Sequence, residues 1–357
     1  MLRWRKTWIW MPPLLGAASL ASGRSISIPA LLLGIVLIIT VLAAVHHAEL
    51  VAHRVGEPFG TFLLALAVTV IEVGLIVTLV LQRKPGSETL ARDTVFSATM
   101  LILNGLIGIC MLVGALRYRE QSFQQAGVSA SLATLSTLTV LTLVLPNFAV
   151  AAPGPYYSTS QLEFVGAVSL LLYLTFILAQ TVRHRDYFLP PEPQAADLDV
   201  HAAPPTNRQA LFSSALLLVC LLEVVLLAKA LAPAVERKVA AAGASHAVVG
   251  VIIAGLVLLP ESIAAIRSAM ANRLQTSLNL ALGSAIAAIG LSIPAVAALS
   301  VFQGFPLALG LDPREIVLLS VTLLVAGMSL STARTTVLQG TIHLVIFGVF
   351  VFTTLVP

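Results

Sequence analysis

The chain has 357 residues, of which 58% are hydrophobic and only 10% are charged. A soluble globular protein carries about 25% charged residues because its surface faces water, so this composition excludes a soluble fold. The sparse charge, the net charge of only +4 and the two cysteines also exclude a disordered chain, a nucleic-acid-binding module and a disulfide-stabilised scaffold. We therefore predict an all-α polytopic membrane protein whose partner is the lipid bilayer.

Apolar runs long enough to cross a hydrocarbon layer of about 30 Å recur between clusters of charge, proline and glycine. They predict about eleven transmembrane helices, over residues 8–22, 28–50, 59–82, 94–116, 128–150, 160–182, 211–232, 246–267, 275–301, 314–333 and 336–356. The first run follows Arg3, Arg5 and Lys6, a pattern that also fits a secretory signal peptide. Whether that run is retained therefore stays open.

A single long polar stretch, 183–210, divides the last ten helices into two sets of five. We predict four parts: an N-terminal segment with an extra helix (1–27), a first five-helix repeat (28–182), a polar cytoplasmic linker (183–210) and a second five-helix repeat (211–357). With the N-terminus inside, loops on the cytoplasmic side hold twelve of the Lys and Arg residues and the opposite side eight. This bias predicts a cytoplasmic N-terminus.

The second helix of each set carries an acidic residue at membrane depth, Glu72 in the first set and Glu261 in the second. Because the two helices are five apart in order, they cross the bilayer in opposite directions, as in an inverted repeat. Transporters built this way bind substrate at the repeat interface near the midplane. An ionised carboxylate at that depth costs about 2.5 to 3.5 kcal/mol on insertion scales, so the matched pair indicates function.

The paired carboxylates predict competition between protons and a cation. Burial disfavours the charged form, so the empty pair should hold protons near neutral pH, and an entering cation should expel them. We therefore predict Glu72 and Glu261 as the cation- and proton-binding site of a secondary transporter, not an enzyme, with no cofactor. Calcium needs about 6 to 8 oxygen ligands, so other groups must contribute.

Small polar residues on the helices around the two glutamates are candidates for these further ligands. They are Thr69, Ser97, Asn104, Asn279, Gly283 and Ser284. Helix packing through small residues is the simpler explanation for any single one of them. Three more ionisable residues, Glu57, Glu223 and His343, are candidates for a gate or a proton path, although a hydrogen-bonded bundle histidine also explains His343.

Several motifs in a fixed order carry a family resemblance. They are Gly56–Thr61, Glu72, Arg92-Asp93-Thr94, Pro260-Glu261, Asn279–Ser284 and Arg334–Gly340. Together they resemble the calcium/proton exchanger family of the calcium/cation antiporter superfamily, and most closely its bacterial ChaA-type calcium or sodium/proton antiporters. The resemblance runs from about residue 28 to residue 356.

The resemblance implies an eleven-helix antiporter of the bacterial inner membrane, built from two inverted repeats, in which Glu72 and Glu261 bind the cation and exchange it for protons. It implies export of calcium, with sodium or potassium as alternatives and a polytopic enzyme or receptor as a distant one. Many relatives have Gly-Asn shortly before the acidic residue, whereas this chain has Val68-Thr69 and Val257-Leu258. That difference leaves the choice between calcium and sodium open, and no oligomeric state is predicted.

Overall fold

A computed structural model describes residues 11–22, 29–55, 67, 70–71, 73–74, 76–77, 80–81, 88–190, 205–241 and 247–356. Twelve α-helices account for most of these residues, which confirms the predicted all-α class. They are α1 Met11–Ser22, α2 Ala30–Val55, α3 Leu90–Met100, α4 Ile107–Tyr118, α5 Gln125–Thr139, α6 Thr159–Leu178, α7 Asn207–Ala241, α8 Ala247–Val257, α9 Leu259–Met270, α10 Leu274–Gln303, α11 Pro313–Leu330 and α12 Val337–Leu355.

Shorter elements extend or join these helices. A π-helical turn, Leu101–Leu106, joins α3 to α4 into one continuous helix, and the π-helical turns Val140–Val144 and Ala179–Arg183 extend α5 and α6. Two 3-10 turns follow at Leu145–Phe148 and Arg185–Phe188. Strands β1 (Gln121–Ser122) and β2 (Arg334–Thr335) form an antiparallel pair in which Gln121 lies opposite Thr335.

Eight helices in the described part of the chain are long and apolar enough to cross a membrane, and the bent pair α8–α9 is a ninth candidate span. All nine overlap apolar runs predicted from the sequence, which confirms a polytopic membrane protein. The runs 8–22 and 59–82 are described only in part, so the count of eleven stays a prediction. Capping boxes fix where three spans begin: Ser158 with Gln161 at α6, Asp312 with Glu315 at α11 and Thr336 with Gln339 at α12.

The chain forms two compact units, and the first comprises residues 1–82 and 199–243. Its helices α2 and α7 pack antiparallel. Near one end Arg54 Nε donates a hydrogen bond of 2.8 Å to Asn207 Oδ1, and near the other a Cβ on Gly34 would lie 4.0 Å from Leu231 Cδ2. Because α2 and α7 are the first helices of the two predicted repeats, their opposite directions agree with an inverted repeat.

The second unit comprises residues 83–198 and 244–357. Its most buried spans are the continuous helix Leu90–Tyr118 and α10. Glycines let backbones approach closely in this unit: a Cβ on Gly250 of α8 would lie 2.9 Å from the Asp93 carbonyl carbon, and one on Gly340 would lie 2.7 Å from the Leu112 nitrogen. Each compact unit draws helices from both predicted repeats, and the division into repeats stays a prediction.

Candidate functional site

Glu261 lies at a break within a candidate membrane span. Helix α8 ends at Val257 and α9 begins at Leu259, and the two helices are bent by 60°. Pro260 stands in the first turn of α9, and Glu261 is the acidic residue of that turn. The sequence predicted one span over 246–267; the structure divides it into two half-helices immediately before the glutamate.

Proline explains why the backbone opens at this point. Pro260 has no N–H, so the carbonyl of Leu256 has no helical donor four residues on. The Leu258 nitrogen still bonds the Ala254 carbonyl, and the Ser262 nitrogen bonds the Leu258 carbonyl, so regular helix resumes on both sides. A carbonyl oxygen and a carboxylate therefore occur together at the junction of the two half-helices.

The Glu261 side chain is half-buried, and its Oε2 atom is closed to solvent. The residue sits at the N-terminal end of α9, where the helix dipole favours negative charge. Burial opposes ionisation, and the helix end supports it. Such a carboxyl can alternate between a protonated form and an anion that binds a cation.

Helix α10 packs against α9 and carries three of the predicted supporting residues. Asn279, Gly283 and Ser284 lie on its half-exposed side, and a Cβ built on Gly283 would meet nothing within 4 Å. The Asn279 amide is engaged elsewhere: Nδ2 donates to the Phe188 carbonyl at 2.6 Å, and Oδ1 accepts from Gln275 at 2.9 Å. The open space thus lies beside Gly283, while Asn279 holds the chain near the start of the polar stretch 183–210.

Ser97 and Asn104 are both buried in the continuous helix Leu90–Tyr118. Because they are seven residues apart, a regular α-helix would place both on one face. The π-helical turn at Leu101–Leu106 contains more residues per turn than an α-helix, so that spacing no longer returns to the same face. Asn104 Nδ2 donates to Thr322 Oγ1 at 2.9 Å, which turns the amide toward α11.

His343 is fully buried in α12 and completes this polar cluster. Its Nδ1 lies 3.3 Å from Asn104 Oδ1, and its Nε2 lies 2.8 Å from Ser329 Oγ. Because an amide oxygen can only accept, the ring donates from Nδ1 and accepts at Nε2. This geometry supports the hydrogen-bonded bundle histidine; a role in a proton path stays a prediction.

Glu223 lies near the middle of α7, where it is 5% exposed. Three other predicted site residues, Glu57, Thr69 and Glu72, lie outside the described residues. The predicted pairing of Glu72 with Glu261 therefore stays a prediction. Within the described ranges, no group of three or more His, Cys, Asp or Glu residues is arranged to hold a metal ion.

A buried charge cluster lies at the start of α3, and it was not predicted from the sequence. Arg92 Nε donates to Asp93 Oδ1 at 2.8 Å, Arg92 also donates to the Gly310 carbonyl at 2.7 Å, and Thr89 Oγ1 donates to Asp93 Oδ2 at 2.9 Å. The buried Glu315 accepts a bond from the Asp312 nitrogen at 3.1 Å. Glu315 was missed, although Asp312-x-x-Glu315 is a readable capping box.

The cluster adjoins two loops. Tyr156 pairs with Ala308 in an isolated β-bridge, and the Ala308 nitrogen donates to the Glu88 carbonyl at 3.1 Å. Burial, together with the neighbouring Glu88 carboxylate, raises the pKa of the Tyr156 phenol. The phenol therefore stays neutral, and these contacts hold the loops together at this end of the second unit.

Comparison with known proteins identifies the family. The model of the sodium/calcium exchanger protein family matches residues 26–182 and 212–356, the two stretches on either side of the polar segment 183–210. Among solved structures, the H+/Ca2+ exchanger CAX has the same fold with a TM-score of 0.75 at 17% identity, over 99% of this chain and 89% of that one.

Two sequence relatives extend over most of the chain. The y4hA protein of Sinorhizobium fredii, named as an ionic transporter, is 48% identical over 98% of this chain and 96% of its own length. The sodium-potassium/proton antiporter ChaA of Escherichia coli is 33% identical over 87% of this chain and 84% of its own. These relatives are ion transporters and not enzymes, which confirms the predicted resemblance. The chain belongs to the sodium/calcium exchanger protein family and is a multi-pass membrane cation antiporter.

Proposed function

We propose that this antiporter exports calcium across the bacterial inner membrane in exchange for protons. The observation that carries the proposal is Glu261 in the first turn of a half-helix, at a 60° break inside a candidate membrane span. Discontinuous helices of this kind place cation ligands at membrane depth in secondary transporters. The bacterial relatives support the choice of membrane.

The break supplies both oxygen ligands and local charge. The C-terminal end of α8 carries partial negative charge, and its Leu256 carbonyl lacks a helical donor, so this end attracts a cation. The N-terminal end of α9 favours the anionic form of Glu261. A proton on Glu261 removes the charge that the cation needs, so the two ions exclude one another at this carboxyl.

Glu72 is the proposed second carboxylate, on the sequence symmetry of the two repeats. Two carboxylates together neutralise a divalent cation, and both would release protons when that cation binds. Glu261, the Leu256 carbonyl and Ser284 offer part of the oxygen set that calcium requires, with the space beside Gly283 open for water. This match of charge and ligand type supports calcium as the exported ion.

Sodium or potassium is the second candidate, and two observations favour it. A relative with 33% identity is a sodium-potassium/proton antiporter. In addition, Leu258 stands where many relatives have asparagine, and this buried leucine provides no side-chain oxygen. One fewer amide oxygen weakens the match to calcium, which takes about 6 to 8 oxygen ligands.

A cation panel in proteoliposomes tests the proposal. The purified protein is reconstituted, a pH gradient is preset, and calcium, sodium and potassium are added separately while the internal pH is followed. We expect calcium to dissipate the gradient in vesicles with the wild-type protein and not in vesicles with Glu261→Gln. Glu163→Gln, at an exposed position of α6, is the matched control. If only sodium and potassium dissipate the gradient, one of these ions and not calcium is the exported ion. If no cation does so, proton-coupled exchange is refuted.

The charge bias across the loops supports a cytoplasmic N-terminus. This orientation places the loop after α10 outside and the loop after α11 inside. Gln303→Cys and Ser331→Cys introduce thiols at exposed positions, the first at the last residue of α10 and the second in the loop after α11, while the native Cys110 and Cys220 are buried. An impermeant thiol reagent applied to intact cells should label the first variant and not the second. The reverse pattern would invert the orientation.

A further inference from the structure

The carboxyl of Glu223 is buried in an unusual way. It lies within the continuous helix α7, and its Oε2 atom has no hydrogen-bond partner in the described part of the chain. A charged carboxylate that keeps one oxygen buried without a partner is costly in an apolar interior, whereas a protonated carboxyl is tolerated. This isolation indicates that the side chain is held in its neutral form.

The wall opposite the carboxyl is Gly16 of α1. A Cβ on Gly16 would lie only 2.9 Å from Glu223 Cδ and closer still to Oε2, so the glycine leaves the space that the carboxyl occupies. Helix α1 packs against both α2 and α7 and contains no ionisable side chain. Glu223 therefore points into a three-helix contact that offers it no charge from α1.

The same geometry turns Glu223 away from the described residues of segment 67–81. A Cβ on Gly74 would lie 2.7 Å from Val225 Cγ2, so Val225 faces the segment 67–81. Two residues along an α-helix correspond to a rotation of about 200°, so the two side chains point in nearly opposite directions. Glu223 consequently points away from that segment and toward α1.

Among the described residues, no compensating charge faces Glu223 from the helices around it. On α7, the buried Cys220 lies one turn earlier, and the exposed Lys229 lies six residues later. The Arg54–Asn207 and Gly34–Leu231 pairs place Glu223 level with residues 38 to 42 of α2, centred on Thr40. The ionisable residues of α2 begin roughly 9 Å further along the axis and are His46, His47, Glu49, His53 and Arg54. The described residues of segment 67–81 carry no ionisable side chain.

We propose that Glu223 is a second proton-binding site, separate from the cation site, and that its protonated form allows α1 to pack against α7. The neutral carboxyl fits in the space beside Gly16. Loss of the proton creates an anion that must be hydrated, and the route to water is an opening of the contact between α1 and α7. The packing of α1 thus responds to pH independently of transported cations.

Carbodiimide labelling tests the proton site directly, because dicyclohexylcarbodiimide reacts with protonated carboxyls in apolar surroundings. The full-length protein in proteoliposomes is treated across a pH series, with and without saturating calcium, and the modified peptides are quantified by mass spectrometry. We expect Glu223 to be labelled near neutral pH, with labelling falling about tenfold per pH unit above its midpoint. Calcium or sodium should not protect it, and Glu120, which is exposed between α4 and β1 and pairs with Arg334, is the control that stays unlabelled. Absence of labelling at Glu223 at every pH, or protection by cations, would overturn the separate proton site.

Hydrogen exchange tests the coupling to α1. After correction for the intrinsic effect of pH, we expect amides of residues 11–22 in the wild-type protein to lose protection as pH rises. Glu223→Gln keeps the size of the side chain and cannot ionise, so this variant should retain protection over the same range. Equal pH dependence in the two proteins would overturn the proposed link between the proton and α1 packing, whatever the outcome of the cation panel.

Discussion

Glu223 and Glu261 are both carboxyls inside candidate membrane spans, but their backbones differ. Helix α7 runs without a break through Glu223, and its proline, Pro233, lies ten residues further on, so the carbonyls within one turn of Glu223 keep their helical donors. At Glu261 the span bends by 60°, and Pro260 deprives the Leu256 carbonyl of its usual helical N–H donor. A buried carboxyl alone can hold a proton, whereas a buried carboxyl beside an opened backbone can also hold a cation.

The surroundings of the two residues lead to the same distinction. Glu223 meets Gly16 of an apolar helix, which fills the space around the carboxyl. Glu261 lies on a helix that packs against α10, where open space adjoins Gly283 and Ser284 is half-exposed. Water and ions need such space and polar groups. We therefore expect cation chemistry at the break and protonation alone within the continuous helix.

The largest expected effect is the loss of exchange in Glu261→Gln. The amide keeps the size of the side chain but cannot ionise, so neither charge compensation for a cation nor proton release survives. We expect the exchange rate in proteoliposomes to fall by at least about a thousandfold, which corresponds to a free-energy difference of about 4 kcal/mol. Glu163→Gln should behave as wild type. If correctly inserted Glu261→Gln exchanges at the wild-type rate while Glu223→Gln is inactive, the assignment of cation binding to Glu261 is wrong.

The next largest effect is the pH dependence of cation affinity. Protonation of the site favours the form that cannot bind, so acidifying the cation-binding side should raise the apparent KM and affect the maximal rate less. Each competing proton contributes up to about a tenfold change in KM per pH unit. Initial rates over a matrix of pH and cation concentration provide this measurement.

The slope of log affinity against pH also counts the protons. A value near two would mean that both Glu72 and Glu261 release protons together, as expected for calcium, and a value near one would favour a monovalent ion. Cation affinity that stays constant between about pH 6 and pH 9 would refute competition at a shared carboxyl. The two glutamates would then be structural or part of a separate proton path.

A smaller effect should follow from closing the backbone next to Glu261. Pro260→Ala restores an N–H that can bond the Leu256 carbonyl, which removes one proposed ligand and favours a straighter helix. We expect the apparent KM for the cation to rise about tenfold, equivalent to about 1.4 kcal/mol. Pro294→Ala is the matched control, since Pro294 also lies inside a helix but away from the break. Equal effects of the two substitutions would mean that the open carbonyl at Leu256 does not bind the ion.

Hydropathy located most of the spans because a membrane span is recognised from the apolar residues within its own stretch of sequence. The predicted run 160–182, for example, corresponds to Thr159–Arg183 in the structure. The presence of Pro260 in the sequence indicates that the carbonyl of Leu256 lacks its helical donor. A single span was nevertheless predicted over 246–267. The missing hydrogen bond is a local property, but the 60° bend depends on how α8 and α9 pack against other helices.

Long-range contacts were beyond the reach of sequence patterns. Asn104 and Asn279 were predicted as supporting ligands, but Asn104 bonds Thr322 at a separation of 218 residues and Asn279 bonds Phe188 at 91. The π-helical turn at Leu101–Leu106 has no marker in its residues and alters which side chains share a face. The match of Gly16 to Glu223 is likewise visible only once α1 and α7 are packed.

The smallest expected effect concerns the packing of Gly16 against the Glu223 carboxyl. Glycine to alanine within a helix normally stabilises by about 0.5 to 1 kcal/mol, and Gly348→Ala should do so because a Cβ there meets nothing within 4 Å. Gly16→Ala should instead destabilise by about 1 kcal/mol, because its Cβ meets the Glu223 carboxyl.

The carboxyl is the far end of a flexible side chain, so it can move aside, which keeps that cost small. Apparent Tm values in detergent at one scan rate provide the comparison, and Glu223→Ala supplies the second arm. In that background Gly16→Ala should become neutral or stabilising, because the group it meets is gone. If Gly16→Ala destabilises equally in both backgrounds, the carboxyl does not occupy the space beside Gly16, and the contrast between the two glutamates would lose its packing basis.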